Sequence, residues 1–165
     1  MGTVASSGSA VVSLPSDTEI LITREFAAPA HLVYKAFTTP DLVKRWWSAK
    51  RGEVTVAEID LRVGGKWRWV MVTDGGFEVA FHGEYREIEP NERIVYTEVY
   101  EGAPGGDENA ALITMTLAEK DGRTTLTVVT EMPTKEGRDV ILESGMEAGM
   151  QDAYDLLEEV AISLK

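Results

Sequence analysis

The side chains of this 165-residue chain best suited to handle a proton are His82, Tyr85, Tyr96 and Tyr154, and those best suited to hold a flat apolar molecule are its four tryptophans. Whether they can act together depends on which faces they share. In the run FHGEYREI, strict strand alternation puts His82 on the face opposite Phe81 and Tyr85, beside Glu84 and Arg86, so it is expected to point away from the apolar side. His31 falls in the first turn of a short helix and reads as a surface residue. No GxSxG elbow is present, no phosphate-binding glycine pattern follows a strand, and no spacing demands a carboxylate pair. The absence of cysteine excludes disulfides and thiolate metal sites, two histidines are too few for a histidine cluster, and there is no EF-hand loop. No catalytic residue, metal or cofactor is expected, and binding is the chemistry left.

The stretch KRWWSAKRGE, residues 44–53, sets two adjacent tryptophans among Lys44, Arg45, Lys50 and Arg51. Neighbouring residues cannot face the same way in a helix or a strand, so the two must differ in role. Trp46 stands four residues after Leu42 and three after Val43, which continues a buried helical stripe, whereas Trp47 falls off that stripe. Trp46 is therefore expected in the core. Between Lys44 and Arg68 seven basic and three acidic residues make a local charge of +4 on a chain of −12, so Trp47 with Arg51 is a candidate gate or docking patch.

The elements that must position these residues follow from turns and periodicity. EILITREF at 19–26 reads as a strand. Pro29 suits the start of a short helix carrying Leu32, Val33, Ala36 and Phe37, and Thr39 with Pro40 can begin a second. Six further strand-like runs follow, joined by turns at DGG 74–76, PNE 90–92 and DG 121–122, with a longer mobile loop at 102–110. Alternation places Trp67, Trp69 and Met71 on one face, and likewise Phe77, Val79, Phe81 and Tyr85, then Ile94, Tyr96 and Tyr100, then Ile113, Met115 and Leu117. One long closing helix from about Glu136, with Leu142, Met146, Met150, Ala153, Leu157, Val160 and Leu164 at steps of three and four, is expected to cover that face.

Composition bounds the partners. The length fits one domain, and an excess of 28 acidic over 16 basic residues disfavours nucleic acid and anionic membranes. Residues 1–18 are small and polar and read as a disordered leader ahead of a domain at 19–165; their apolar run is too short for a signal peptide or a membrane span. MGTVAS fits the myristoylation pattern but lacks an adjoining basic cluster.

REFAAPAHLVYKAFTTPDLVKRWW, EIDLRVGGKWRWVM and FHGEYREIEPNERIVYTEVY, followed by the glycine-spaced terminal helix, together resemble the stand-alone bacterial proteins related to the C-terminal domain of the activator of heat-shock-protein-90 ATPase. These belong to the START-like (SRPBCC) superfamily. The resemblance implies an α+β helix-grip fold like that of the birch pollen allergen. In it a seven-stranded antiparallel curved sheet wraps around a long C-terminal helix, with two short helices after the first strand. It implies a cytoplasmic protein that binds a small hydrophobic molecule between sheet and helix. The alternatives are a co-chaperone-like interaction module of the stress response, with a heat-shock-protein-90 homologue as partner, and a cyclase or hydrolase using the same pocket. The expected pocket residues are Trp67, Trp69, Met71, Phe81, Tyr85, Tyr96, Met115, Met146, Met150 and Tyr154, with Gly83, Gly145 and Gly149 providing room.

Overall fold

A computed structural model of the chain describes residues 3–5, 10–102 and 105–165. One antiparallel sheet of nine strands runs in the spatial order β1-β2-β3-β9-β8-β7-β6-β5-β4. The strands are β1 (Thr3–Ala5), β2 (Val11–Ser13), β3 (Glu19–Phe26), β4 (Gly52–Ile59), β5 (Lys66–Thr73), β6 (Glu78–Glu89), β7 (Arg93–Tyr100), β8 (Ala111–Lys120) and β9 (Arg123–Glu131). After β3 the chain crosses through helices α1 (Ala30–Thr38) and α2 (Pro40–Trp46) to the far edge at β4, then meanders back until β9 pairs with β3. Two helices, α3 (Lys135–Glu143) and α4 (Met146–Ser163), close the chain.

Local chemistry starts each helix. Pro29 precedes α1, and the first free amide, that of Ala30, donates to Glu119 Oε1 on β8 at 2.7 Å, so a carboxylate meets the positive end of the helix. Pro40 opens α2 as its type suggests, while Thr39 stands at the N-cap without a side-chain capping bond. The seven expected strands are β3 to β9, and the sheet gains two more at its N-terminal edge.

That gain corrects the disordered leader. Val11–Ser13 pairs with Leu21–Thr23, and Ala10 is fully buried because the Gln151 side-chain amide grips both its backbone groups, at 3.0 and 2.8 Å. The rest of that expectation, residues 1, 2 and 6–9 with the Gly2 and Ser6 of the myristoylation pattern, lies outside the described residues, as do residues 103 and 104 of the expected mobile loop. The remainder of that loop contains a 3-10 turn at Gly106–Asn109.

The single closing helix is also corrected. It breaks at Gly145, which adopts φ 82° between α3 and α4, a conformation that glycine takes without strain. α4 buries Gln151, Ala153, Leu157, Val160 and Ala161 and is pinned by Arg24 of β3. That guanidinium, 3% exposed, meets Asp155 at 3.0 Å and Glu158 at 3.1 Å, while Glu158 also accepts from the Ala27 amide at 2.9 Å. A buried cation held by two carboxylates becomes costly if either partner is lost.

The feature that shapes the interior is Gly83. The pairing of β6 with β7 keeps one register from Phe81↔Tyr100 and His82↔Val99 to Tyr85↔Tyr96 and shifts between Tyr85 and Glu87, and Gly83 and Glu84 lie in the stretch before that shift. There the Glu84 amide donates to Thr97 Oγ1 at 3.0 Å, and the Trp67 indole, on the other side of Gly83, donates Nε1–H to the Thr97 carbonyl at 3.2 Å. A methyl group on residue 83 would collide with that carbonyl oxygen and lie 2.6 Å from the Trp67 ring nitrogen. Gly83→Ala is therefore expected to destabilise the protein by about 1–3 kcal/mol or more, as overpacked interiors do. Urea unfolding against the parent measures it, and an unchanged midpoint would refute this role for Gly83.

Candidate functional site

Above Gly83 the inner face of the sheet carries a ladder of rings in edge-to-face contact. Trp46 meets Trp69 with centroids 5.9 Å apart, Trp69 meets Trp67 at 5.4 Å, and Trp67 meets Tyr96 at 5.8 Å. A branch runs from Trp69 to Trp47 at 5.6 Å and on to Phe81 at 5.8 Å. Both ends of the tryptophan run Trp46–Trp69–Trp67 are tied to backbone, since Trp46 Nε1 donates to the Ala36 carbonyl at 2.9 Å and Trp67 donates to Thr97. Rings fixed in this way cannot fold inward to fill the space beside them.

That space is a cavity with about 90 Å³ open to the centre of a water-sized sphere. Phe37 and Thr38 of α1, Trp47 after α2, Trp67 and Trp69 of β5, Phe81 and Tyr85 of β6, Ile94, Tyr96 and Glu98 of β7, and Met115 of β8 line it. Trp46 is 3% exposed and belongs to the core, as its spacing suggests, whereas Trp47 is half-buried and forms part of the wall.

Six of the ten expected pocket residues, Trp67, Trp69, Phe81, Tyr85, Tyr96 and Met115, come together here, and Trp47 joins them from the expected gate. Met71, Met146, Met150 and Tyr154 are not among the lining residues. The space lies beneath α1 and the end of α2 instead of beneath the C-terminal helix, because Phe37 stands between: its ring meets Tyr154 at 6.2 Å on one side and Trp46 at 5.1 Å on the other. Gly149 has only the end of Arg51 near it and opens no room under the helix, and Gly145 serves the helix break. Phe77 precedes β6 and is 74% exposed, so it does not share the inner face with Phe81.

Arg51 does not line the cavity. It pairs with Asp152 of α4 at 2.8 Å, and Arg62, Lys66 and Arg68 are likewise ion-paired with Asp60, Glu84 and Glu101. Four of the seven cations of the expected docking patch are thus neutralised locally. His82 lies on the outer face, where Nδ1 meets Glu101 at 2.9 Å and Nε2 meets Asp107 at 3.1 Å; the Glu101 hydrogen bond leads in raising its pKa.

Glu98 is the residue that the sequence reading passed over. It falls on the inner face between Tyr96 and Tyr100, and the signal was the same two-residue alternation that assigned its neighbours. The register shared by His82↔Val99 and Tyr85↔Tyr96 puts Gly83 across from it on β6, and Ala111 faces it on β8, so no polar cross-strand side chain meets its carboxyl. The Glu98 carboxyl makes no hydrogen bond or ion pair among the described residues, and desolvation alone raises its pKa to about 7. Burial likewise raises the Tyr85, Tyr96 and Tyr154 hydroxyls, which stay protonated. Among the described residues, none of those three hydroxyls has a hydrogen-bond partner. The Thr38 hydroxyl is used within its helix, donating to the Tyr34 carbonyl at 2.8 Å.

The curved sheet, the helix it grips and the ring-lined space define a START-like domain. The family profile described as Activator of Hsp90 ATPase homolog 1-like protein matches residues 27–161, and the chain belongs to that family. Among solved structures it is similar to a protein of Rhodobacter sphaeroides, with 27% identity, a TM-score of 0.83 and coverage of 92% of this chain and 97% of that one. A protein of Chromobacterium violaceum is 29% identical, with a TM-score of 0.76 over 88% of this chain and 98% of that one. An AHSA1-like protein of Aeromonas hydrophila, 20% identical with a TM-score of 0.66 over 87% and 93% of the two chains, shares the fold. No curated protein matches the chain. Family and fold support a ligand-binding or co-chaperone-like domain in general. Among the described residues no helix is long and apolar enough to cross a membrane.

The state of Glu98 makes stability depend on pH. Its ordinary value is 4.5 and its folded value is about 7, so the folded state binds the proton more tightly. The associated stability is complete below pH 4.5 and is lost as the pH rises through 7. Glu98→Gln removes this loss. The variant is expected to exceed the parent by on the order of 1–3 kcal/mol at pH 8.5 and to match it near pH 4, as measured by urea unfolding at both values. A variant less stable at pH 8.5 would contradict the assignment.

Proposed function

We propose that this protein binds a small hydrophobic molecule, of about the size of one substituted ring, in the cavity beneath α1 and α2, and does so in the cytoplasm without transforming it. The observation that carries this is the ring-lined space beside the tied tryptophan ladder, where a persistent apolar volume favours an apolar guest. Several facts favour binding over turnover. His82 faces outward, Thr38 is bonded within its helix, and among the described residues no lining hydroxyl is hydrogen-bonded to a base that would activate it as a nucleophile.

A co-chaperone role through Trp47 and Arg51 has less support, because Arg51 is held by Asp152 and Trp47 packs on Trp69 and Phe81. For the same reason, stress-response docking to a heat-shock-protein-90 homologue is the weaker reading.

Bromobenzene tests the binding directly, since a heavy atom seated against Trp47, Trp67 and Trp69 quenches their emission. Quenching should saturate in the parent. It should lose its saturable part in Ile94→Phe, where the larger side chain fills the cavity from its wall, while the thermal midpoint is kept or raised. Purely linear quenching in the parent, or identical saturation in both proteins, would refute the proposal.

A further inference from the structure

We infer that the guest of this cavity carries a positive charge: it is a small organic ammonium whose cationic head lies against the aromatic wall and beside Glu98. The inference rests on the ligand-binding reading above and specifies the class of molecule. It follows from which groups the cavity contains and which it lacks.

Among the described residues Glu98 is the one lining side chain that can carry charge at ordinary pH, and no lysine, arginine or histidine lines the cavity to answer it. An unpaired carboxyl on an apolar wall lowers stability, as worked out above, unless something else meets it. An anionic guest such as a fatty acid would place like charges together with no counter-charge. A neutral hydrocarbon would leave the carboxyl as orphaned as before. A cationic head satisfies it, and the surrounding rings favour the same sign, because the faces of tryptophan, tyrosine and phenylalanine attract cations.

The other groups near Glu98 do not disturb this balance. Tyr85 of β6, Tyr96 of β7 itself and Tyr154 of α4 remain neutral, and the buried cation Arg24, which like Glu98 acts on Tyr154, is engaged by Asp155 and Glu158. The ion pairs that neutralise Arg51, Lys66 and Arg68 remove much of the local positive potential from the approach, and the net charge of −12 draws cations toward the protein as a whole.

Two probes of the same shape test the charge. Phenyltrimethylammonium is permanently cationic, so any pH dependence of its binding reports on the protein, and tert-butylbenzene replaces its nitrogen with carbon. Both are titrated by tryptophan fluorescence at pH 8.5 and pH 5.5 into the parent and Glu98→Gln. For the cation, affinity is expected to fall about tenfold or more both on substitution and on acidification, for loss of one buried charge partner. For the hydrocarbon, affinity should hold or rise in both cases. If both probes bind and the cation responds to neither change, or if only the hydrocarbon binds, the ammonium inference is overturned while the apolar cavity stands. If neither binds, the binding reading itself fails.

Discussion

The interior of this protein is arranged around the missing side chain of Gly83. Because nothing projects from that position, the Trp67 indole can lie across the sheet and bond the Thr97 carbonyl of β7. The same absence leaves Glu98 with no side chain across from it on β6, and only Ala111 across from it on β8. One residue thus fixes an end of the ring ladder and leaves an acid unanswered beside it. The other end is fixed by Trp46, whose indole closes on the Ala36 carbonyl of α1 and so joins the two small helices to the sheet.

Edge-to-face packing between anchored rings explains why the volume persists. Collapse would require Trp67 or Trp46 to give up a hydrogen bond and leave a buried N–H unpaired, which costs more than the dispersion gained by filling the space. Trp69, between them, already has a buried Nε1 with no acceptor, and its indole is held by rings on three sides. An unsatisfied donor and an uncompensated carboxyl in one small region are features that folding alone would not favour, and binding sites concentrate such features.

Much of this was legible in the chain. The seven strands β3 to β9, the two short helices, the separate roles of Trp46 and Trp47, and the outward turn of His82 all follow from periods of 2 and 3.6 and from turn residues. Gly83 stood out as a residue that makes room. What failed had specific physical causes. Gly145 continued a helical period while serving as a left-handed break, and periodicity does not sense φ. The grip of Gln151 on Ala10 joins residues 141 positions apart and gives no local sign in the segment it orders. Phe37 was counted as core, and only packing reveals that it separates α4 from the cavity. Glu98 was hidden by its type: charged residues are read as solvated, so the alternation that placed it inward was overruled by its polarity.

The central claim is that the Glu98 carboxyl sits desolvated and unpaired inside the aromatic wall. A ¹³C NMR titration of its side-chain carboxyl in the ligand-free protein measures this most directly. The account predicts a midpoint near 7, far above its ordinary 4.5. A midpoint at the ordinary value would mean that the carboxyl is met by water or by a partner, and would contradict it.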